Sequence, residues 1–157
     1  MASEAEETGL ALKERGMTLA LAESCTGGGL GAEITSVPGS SDFFIGGAIV
    51  YSNSAKESVL GVRRSTLDTY GAVSAETASE MAEGARRVFG SDVAVAVTGI
   101  AGPGGATEGK PVGLVYTAVS VRGRVDVMRH NLSGDRDSIR KKSADGALLH
   151  IRTALNN

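Results

Sequence analysis

Leu19-Ala-Leu-Ala-Glu-Ser-Cys-Thr-Gly-Gly-Gly-Leu-Gly31 decides how the rest of the chain is read. Met17 to Leu21 has the length and composition of a buried strand, and Leu30, Ile34 and Val37 recur at helical spacing beyond the glycines. A strand that breaks into a glycine turn and then a helix turns the helix's first free N–H groups, and the positive end of its dipole, toward whatever occupies the corner. Ser24 sits on that corner. It suits two uses: presenting a nucleophile or cradling an anion.

Upstream, Glu4, Ala5, Leu10, Ala11 and Leu12 predict an amphipathic helix over residues 3–15, closed by Gly16, before a strand over 17–22. Downstream, the corner helix runs to Ser36 and the loop Val37-Pro-Gly-Ser-Ser41 follows. Phe43-Phe-Ile-Gly-Gly-Ala-Ile-Val-Tyr51 then reads as a second strand whose paired glycines mark a close approach or a bulge. Asn53 to Leu60 is a short helix stopped by Gly61, and Ser65 to Tyr70 another helical turn. Ser74 is an N-cap, and Ala78, Met81, Ala82, Ala85, Val88 and Phe89 share one face of the helix it opens. Asp92 to Val97 is a buried strand leading into the glycine loop 98–111. Residues 112–121 and 125–132 form a hairpin around Arg122-Gly-Arg124, and Gly134-Asp-Arg-Asp137 opens a last helix. No repeat or linker interrupts this order, which predicts one α/β domain over residues 1–157. Its architecture is a three-layer α/β/α sandwich on a mixed, mostly parallel five-stranded sheet, the hairpin imposing antiparallel pairing.

Composition narrows the chemistry. A net charge of -2 with both signs interspersed argues against a nucleic-acid surface or an electrostatic membrane anchor. No apolar run approaches the roughly 20 residues that span a bilayer, and MASEAEETG lacks the features of a secretion signal, so a cytoplasmic location is expected. One cysteine excludes an internal disulfide, and two isolated histidines offer no His/Cys metal set, so no metal or cofactor is expected. The exposed edge of the hairpin makes a homo-oligomer plausible.

Three motif matches fail on context. Gly27-x-Gly29-x-x-Ala32 fits the dinucleotide fingerprint, but Val50, Tyr51 and Ser52 stand where it requires an acidic residue. Gly104-x-x-x-x-Gly109-Lys110 begins a phosphate-binding loop, yet Pro111 replaces the hydroxyl residue and a strand follows. A Ser-His-Asp triad has only His130 and His150 to draw on, and each reads more simply as structural. Ser24 then needs another base, and the usual substitute for histidine is a neutral lysine held by burial well below its free pKa near 10.4. Lys56, just past the strand ending at Tyr51, fits that role; a solvated lysine on a short helix is the alternative. Tyr51 is placed to relay or orient protons. Cys25 is a rival nucleophile by chemistry and a small buried apolar residue by habit.

Taken together, these segments resemble the CinA C-terminal domain family, whose stand-alone members are nicotinamide mononucleotide deamidases. The resemblance runs from Ala22 to Leu155. It rests on Ala22-Glu-Ser-Cys-Thr-Gly-Gly28, Pro38-Gly-Ser-Ser41, Tyr51-Ser-Asn-Ser-Ala-Lys56, Gly71-Ala-Val-Ser74, Thr98-Gly-Ile-Ala-Gly-Pro103, Lys110-Pro-Val-Gly113 and Gly134-Asp-Arg136. It implies a serine-lysine amidohydrolase with Ser24 as nucleophile, Lys56 as base and Tyr51 assisting, and a small mononucleotide as substrate. Backbone N–H groups from Cys25 through Thr26 and Gly27 to Gly28 would meet the oxyanion. Thr98, Gly99, Ala101 and Gly102 offer a second set of donors in a glycine loop. Arg136 and Arg140, one helical turn apart, would supply charge for the phosphate or else form a solvated helix face. The chain departs from the family at Gly105-Ala-Thr-Glu-Gly-Lys110, where alanine replaces a glycine and glycine a glutamate. Larger members carry an N-terminal domain associated with ADP-ribose hydrolysis that these residues do not include, so no pyrophosphatase activity is expected. The competing functional class is a non-catalytic binding or regulatory module; retention of Ser24, Tyr51 and Lys56 together favours the enzyme.

Overall fold

The computed structural model describes Met1–Asn157. Its strands are β1 (Leu19–Glu23), β2 (Phe44–Ile49), β3 (Val93–Gly99), β4 (Leu114–Val121) and β5 (Arg124–Asn131), in the sheet order β2-β1-β3-β4-β5. β1 pairs parallel with β2 and β3, while β4 is antiparallel to both β3 and β5. Four strands therefore point the same way and β4 alone runs back. The helices are α1 (Glu4–Arg15), α2 (Gly29–Thr35), α3 (Asn53–Leu60), α4 (Arg64–Tyr70), α5 (Ala75–Phe89) and α6 (Arg136–Leu155). α1, α2 and α6 cover one face of the sheet and α3, α4 and α5 the other, which is the expected three-layer sandwich.

The strand sequences sort the two faces by size. With period 2, Leu19, Leu21, Val93, Val95 and Val97 point toward α1, α2 and α6, while Ala20, Ala22, Ala94 and Ala96 point toward α5. On the alanine face only methyl groups separate the sheet from Ala78, Met81, Ala82 and Ala85 of α5. α3 seats against α5 with equal economy: a Cβ on Gly84 would collide with the Leu60 carbonyl and stand 2.9 Å from the Leu60 Cβ.

Chain direction places the site. From β1 the chain crosses to β2 on one side, and β3 then returns on the other, so the connections leaving the C-terminal ends of β1 and β3 diverge. Open α/β sheets form their ligand crevice at such a point. The Ser24 N–H bonds the Val97 carbonyl at 3.0 Å, which extends the ladder one residue past β1 and fixes Ser24 at the mouth of the crevice.

Element ends differ from the sequence reading where side chains replace ladder bonds. β1 begins at Leu19 rather than Met17, because the Thr18 N–H and hydroxyl bond the Asp92 carboxylate at 3.0 and 3.2 Å. β2 stops at Ile49 rather than Tyr51, because the Val50 and Tyr51 carbonyls turn toward Lys56. Ser40–Asp42 forms a 3-10 turn inside the expected loop. The paired glycines of β2 serve both anticipated purposes. The register slips past Ile45, and a Cβ on Gly47 would lie 2.9 Å from that of Leu21. No helix is long and apolar enough to cross a membrane.

Gly84→Ala tests the α3–α5 seat. Alanine in a helix interior ordinarily gains about 1 kcal/mol over glycine, whereas overpacking against backbone costs about 1–3 kcal/mol. Because the obstacle is a carbonyl rather than a flexible side chain, we expect a net loss of about 1–2 kcal/mol in urea denaturation. A gain in stability would show that α3 is not held this closely.

Candidate active site

α3 begins at the Ser52 N-cap, whose hydroxyl accepts from the Ala55 N–H, and ends at Gly61 in the left-handed region. One turn into this helix, Lys56 points back under β1 and is only 1% exposed. Its Nζ lies 3.0 Å from Ser24 Oγ, 2.9 Å from the Val50 carbonyl oxygen and 2.9 Å from the Tyr51 carbonyl oxygen. An ammonium donates to all three. A neutral amine has two N–H bonds and a lone pair, so with both carbonyls taking N–H the lone pair is left for the Ser24 hydroxyl proton. Burial brings the Lys56 pKa down from 10.5 to about 8, against a weaker opposing pull from the neighbouring Cys25 thiol. Lys56 forms no ion pair that would restore its charge, since every salt bridge in the molecule lies elsewhere.

Burial acts on Cys25 in the opposite sense, raising its pKa from 9.0 to about 11. The thiol keeps its proton near neutral pH, and thiolate is the reactive form. Of the two adjacent candidates, Ser24 is the one with a base.

The turn differs from expectation in its electrostatics. Glu23, 3% exposed, folds its carboxylate over the start of α2 and accepts the N–H groups of Gly28, Leu30 and Gly31 at 3.1, 2.9 and 2.9 Å. The helix N-terminus is thus filled by the chain's own anion, and Gly28 has no free donor to offer. The Gly27 N–H is also committed, to the Ser24 carbonyl at 3.1 Å. Gly27 and Gly28, at φ 58° and 102°, make the tight left-handed turn that brings the helix back over Glu23. The N–H groups of Cys25 and Thr26 are left without a protein acceptor.

Beside Ser24 opens a cleft of about 220 Å³, lined by Ser24, Cys25, Tyr51 and Lys56. Ala72, Val73, Thr98, Gly99, Ala101 and Arg136 complete its lining. The Thr98 hydroxyl donates to the Ala72 carbonyl at 2.8 Å, tying the loop before α5 to the end of β3. Arg136 reaches the cleft while donating to the Gly102 carbonyl at 2.7 Å. Gly102 therefore shapes the rim through Arg136 rather than lining it. Tyr51 bonds Lys56 through its backbone carbonyl; the residue is 64% exposed at the edge of the cleft and its hydroxyl makes no hydrogen bond. Arg140 lies outside the cleft, with Nε 3.2 Å from the Cys25 carbonyl oxygen and a terminal nitrogen 3.1 Å from that of Thr26. Thr26 is buried on that same outer side. The two histidines meet on the Thr117 hydroxyl, and His150 also bonds Asp126; neither lines the cleft.

Sequence reasoning assigned no role to Glu23, Ala72 or Val73. For Glu23 a signal existed: an acid at a strand end, followed by a glycine turn and a helix, lies opposite a helix dipole. Ala72 and Val73 carry no such mark, being small residues brought in by the Thr98 bond.

Residues 1–155 match the family described as the CinA C-terminal domain. The chain belongs to that family. A CinA-like protein of Geobacter sulfurreducens is 52% identical over 143 residues, covering 91% of this chain and 35% of the relative. One from Thermotoga maritima is 49% identical over 144 residues, covering 92% and 35%. The chain thus spans about a third of the length of the curated relatives it matches. Among solved structures, the competence damage-inducible protein A of Klebsiella pneumoniae superposes with a TM-score of 0.95 at 36% identity, covering 98% of this chain and 96% of that one. The competence/damage inducible protein CihA of Agrobacterium tumefaciens gives 0.92 at 40% identity, covering 100% and 98%. The fold is shared across this range of identity.

The two shifted groups predict a signature in stability. Between pH 8 and 9 the folded chain has released the Lys56 proton while the unfolded chain retains it, so stability rises with pH, by up to about 1.4 kcal/mol per unit. Above pH 9 the unfolded chain loses the Cys25 proton, which the folded chain holds to about pH 11, and the slope is cancelled. Chemical denaturation across pH 7–10 should show the rise and the plateau in the wild type, and Lys56→Met should abolish the rise. A rise of equal size in the variant would refute the burial of a titrating Lys56.

Proposed function

We propose that this CinA domain hydrolyses a carboxamide by a serine-lysine mechanism, and that its substrate is nicotinamide mononucleotide, released as nicotinate mononucleotide and ammonia. The observation that carries the mechanism is Lys56 Nζ, buried among two carbonyls and 3.0 Å from Ser24 Oγ. The choice of substrate rests on the family resemblance and on the makeup of the cleft.

In the first half-reaction, neutral Lys56 takes the hydroxyl proton as Ser24 Oγ attacks the amide carbon, and the carbonyl π pair moves onto oxygen. The Cys25 and Thr26 N–H groups are the free donors nearest the nucleophile and serve the resulting oxyanion. As the C–N bond breaks, the Lys56 ammonium returns its proton to nitrogen, which departs as ammonia and leaves an acyl-serine. Water then attacks the ester, Lys56 accepts one of its protons and hands it to the departing Ser24 oxygen, and the carboxylic acid formed leaves as carboxylate after giving its proton to solvent. At the rim, the exposed Tyr51 ring suits the face of a cationic pyridinium, and Arg136 suits the phosphate. A binding module has no use for a lysine whose burial costs stability and whose only side-chain partner is a serine hydroxyl.

The test is ammonia release from nicotinamide mononucleotide by the purified chain without added metal. We expect Ser24→Ala and Lys56→Ala each to lower kcat by at least about a thousandfold. For the wild type, kcat/KM should rise with pH through about 8 as Lys56 loses its proton and then level off. Full activity in either variant sinks the mechanism. A wild type that hydrolyses other carboxamides but not this one removes the substrate and keeps the chemistry.

A further inference from the structure

We propose that Arg140 is a positioning residue for the oxyanion site, and not a ligand of the substrate phosphate. The proposal rests on the serine-lysine reading above and concerns how its oxyanion donors are aimed.

The two N–H groups without an acceptor, those of Cys25 and Thr26, belong to the peptides Ser24–Cys25 and Cys25–Thr26. A trans peptide is planar, with its C=O and N–H pointing in opposite directions. Holding the carbonyl therefore aims the N–H. The Ser24 carbonyl is held from within the turn by the Gly27 N–H at 3.1 Å. Nothing in the turn holds the Cys25 carbonyl; that task falls to Arg140, 115 residues away on α6, through Nε at 3.2 Å. The same guanidinium holds the Thr26 carbonyl at 3.1 Å, so one rigid fork fixes two successive peptides. It draws both carbonyls to the outer side of the turn, which sends the Thr26 N–H the other way, out of reach of the guanidinium.

Two further observations fit this role. A Cβ on Gly27 would lie 3.3 Å from the Arg140 terminal nitrogen, so the glycine that makes the turn also makes room for the clamp. Arg136, one turn earlier on α6, reaches the cleft, and Arg140 does not. The two arginines, alike in sequence, are separated by what they touch. Glu23 holds the far end of the same turn by three N–H groups, so Arg140 and Glu23 brace it from both sides.

The experiment compares Arg140→Lys and Arg140→Ala with wild type on nicotinamide mononucleotide and on its dephosphorylated riboside. Lysine keeps the charge and loses the fork. For a positioning residue both variants lower kcat by about 10- to 100-fold, by the same factor on both amides and with KM changed less than about threefold. Millimolar guanidinium should partly restore Arg140→Ala. A KM increase confined to the phosphorylated substrate, with kcat kept, overturns the proposal and returns Arg140 to the phosphate. The rate at which a fluorophosphonate labels Ser24 provides a readout free of substrate identity, because its phosphoryl oxygen occupies the oxyanion site. Slower labelling in thermally stable Arg140→Lys supports the clamp, and unchanged labelling overturns it. If the wild type hydrolyses neither amide yet labels at Ser24, the substrate assignment fails and the labelling comparison still decides Arg140.

Discussion

The burial of one amine organises this molecule. An isolated lysine nitrogen taken out of water must find acceptors or lose its proton, and Lys56 is given three acceptors with no carboxylate among them. That choice has structural costs on every side. The chain just past β2 turns the Val50 and Tyr51 carbonyls to the amine, α3 is pressed against α5 tightly enough to leave a glycine at the contact, and the residue after β1 is a serine within reach. A carboxylate partner would have kept Lys56 charged and useless as a base; neutral carbonyls hold it in place and leave its proton free to move.

The second constraint is the management of negative charge around the corner. A bare helix start would attract any anion in reach. Glu23 removes that attraction by capping α2 from within. The cleft then holds polarity of its own: it is lined by Ser24 and Cys25 from the turn and by the Arg136 guanidinium.

What the sequence disclosed follows from how local each feature is. The corner at residues 19–31 was legible because a strand, a glycine turn and a helix are each written in consecutive residues. The layer order followed from it, and Ser24 followed from elimination of the nucleotide fingerprints. Lys56 could be nominated but not distinguished from a solvated lysine, since its burial depends on how α3 packs against elements distant in sequence, and one of its partners, Ser24, lies 32 residues away. Arg140, read as charge for the phosphate or a solvated helix face, hid its bonds to the turn for the same reason. Its spacing from Arg136 is a fact of one helix, whereas its partners are carbonyls 114 and 115 residues away. Glu23 went unassigned because it is one acid among 18 acidic residues, and only its place beside the turn sets it apart.

The unequal faces of the sheet bear on how such a chain can drift over time. Where Leu19, Leu21, Val93 and Val95 meet α1, α2 and α6, a lost methylene in one residue can be regained in a neighbour, and many combinations of similar volume are interchangeable. Where Ala20, Ala22, Ala94 and Ala96 meet α5, the side chains are already at the smallest size short of glycine, so nearly every replacement is an enlargement that only a few larger neighbours, Met81 among them, are able to absorb. The layer that carries Lys56 is thereby the layer less free to wander, and the buried amine is protected by neighbours that make no hydrogen bond to it.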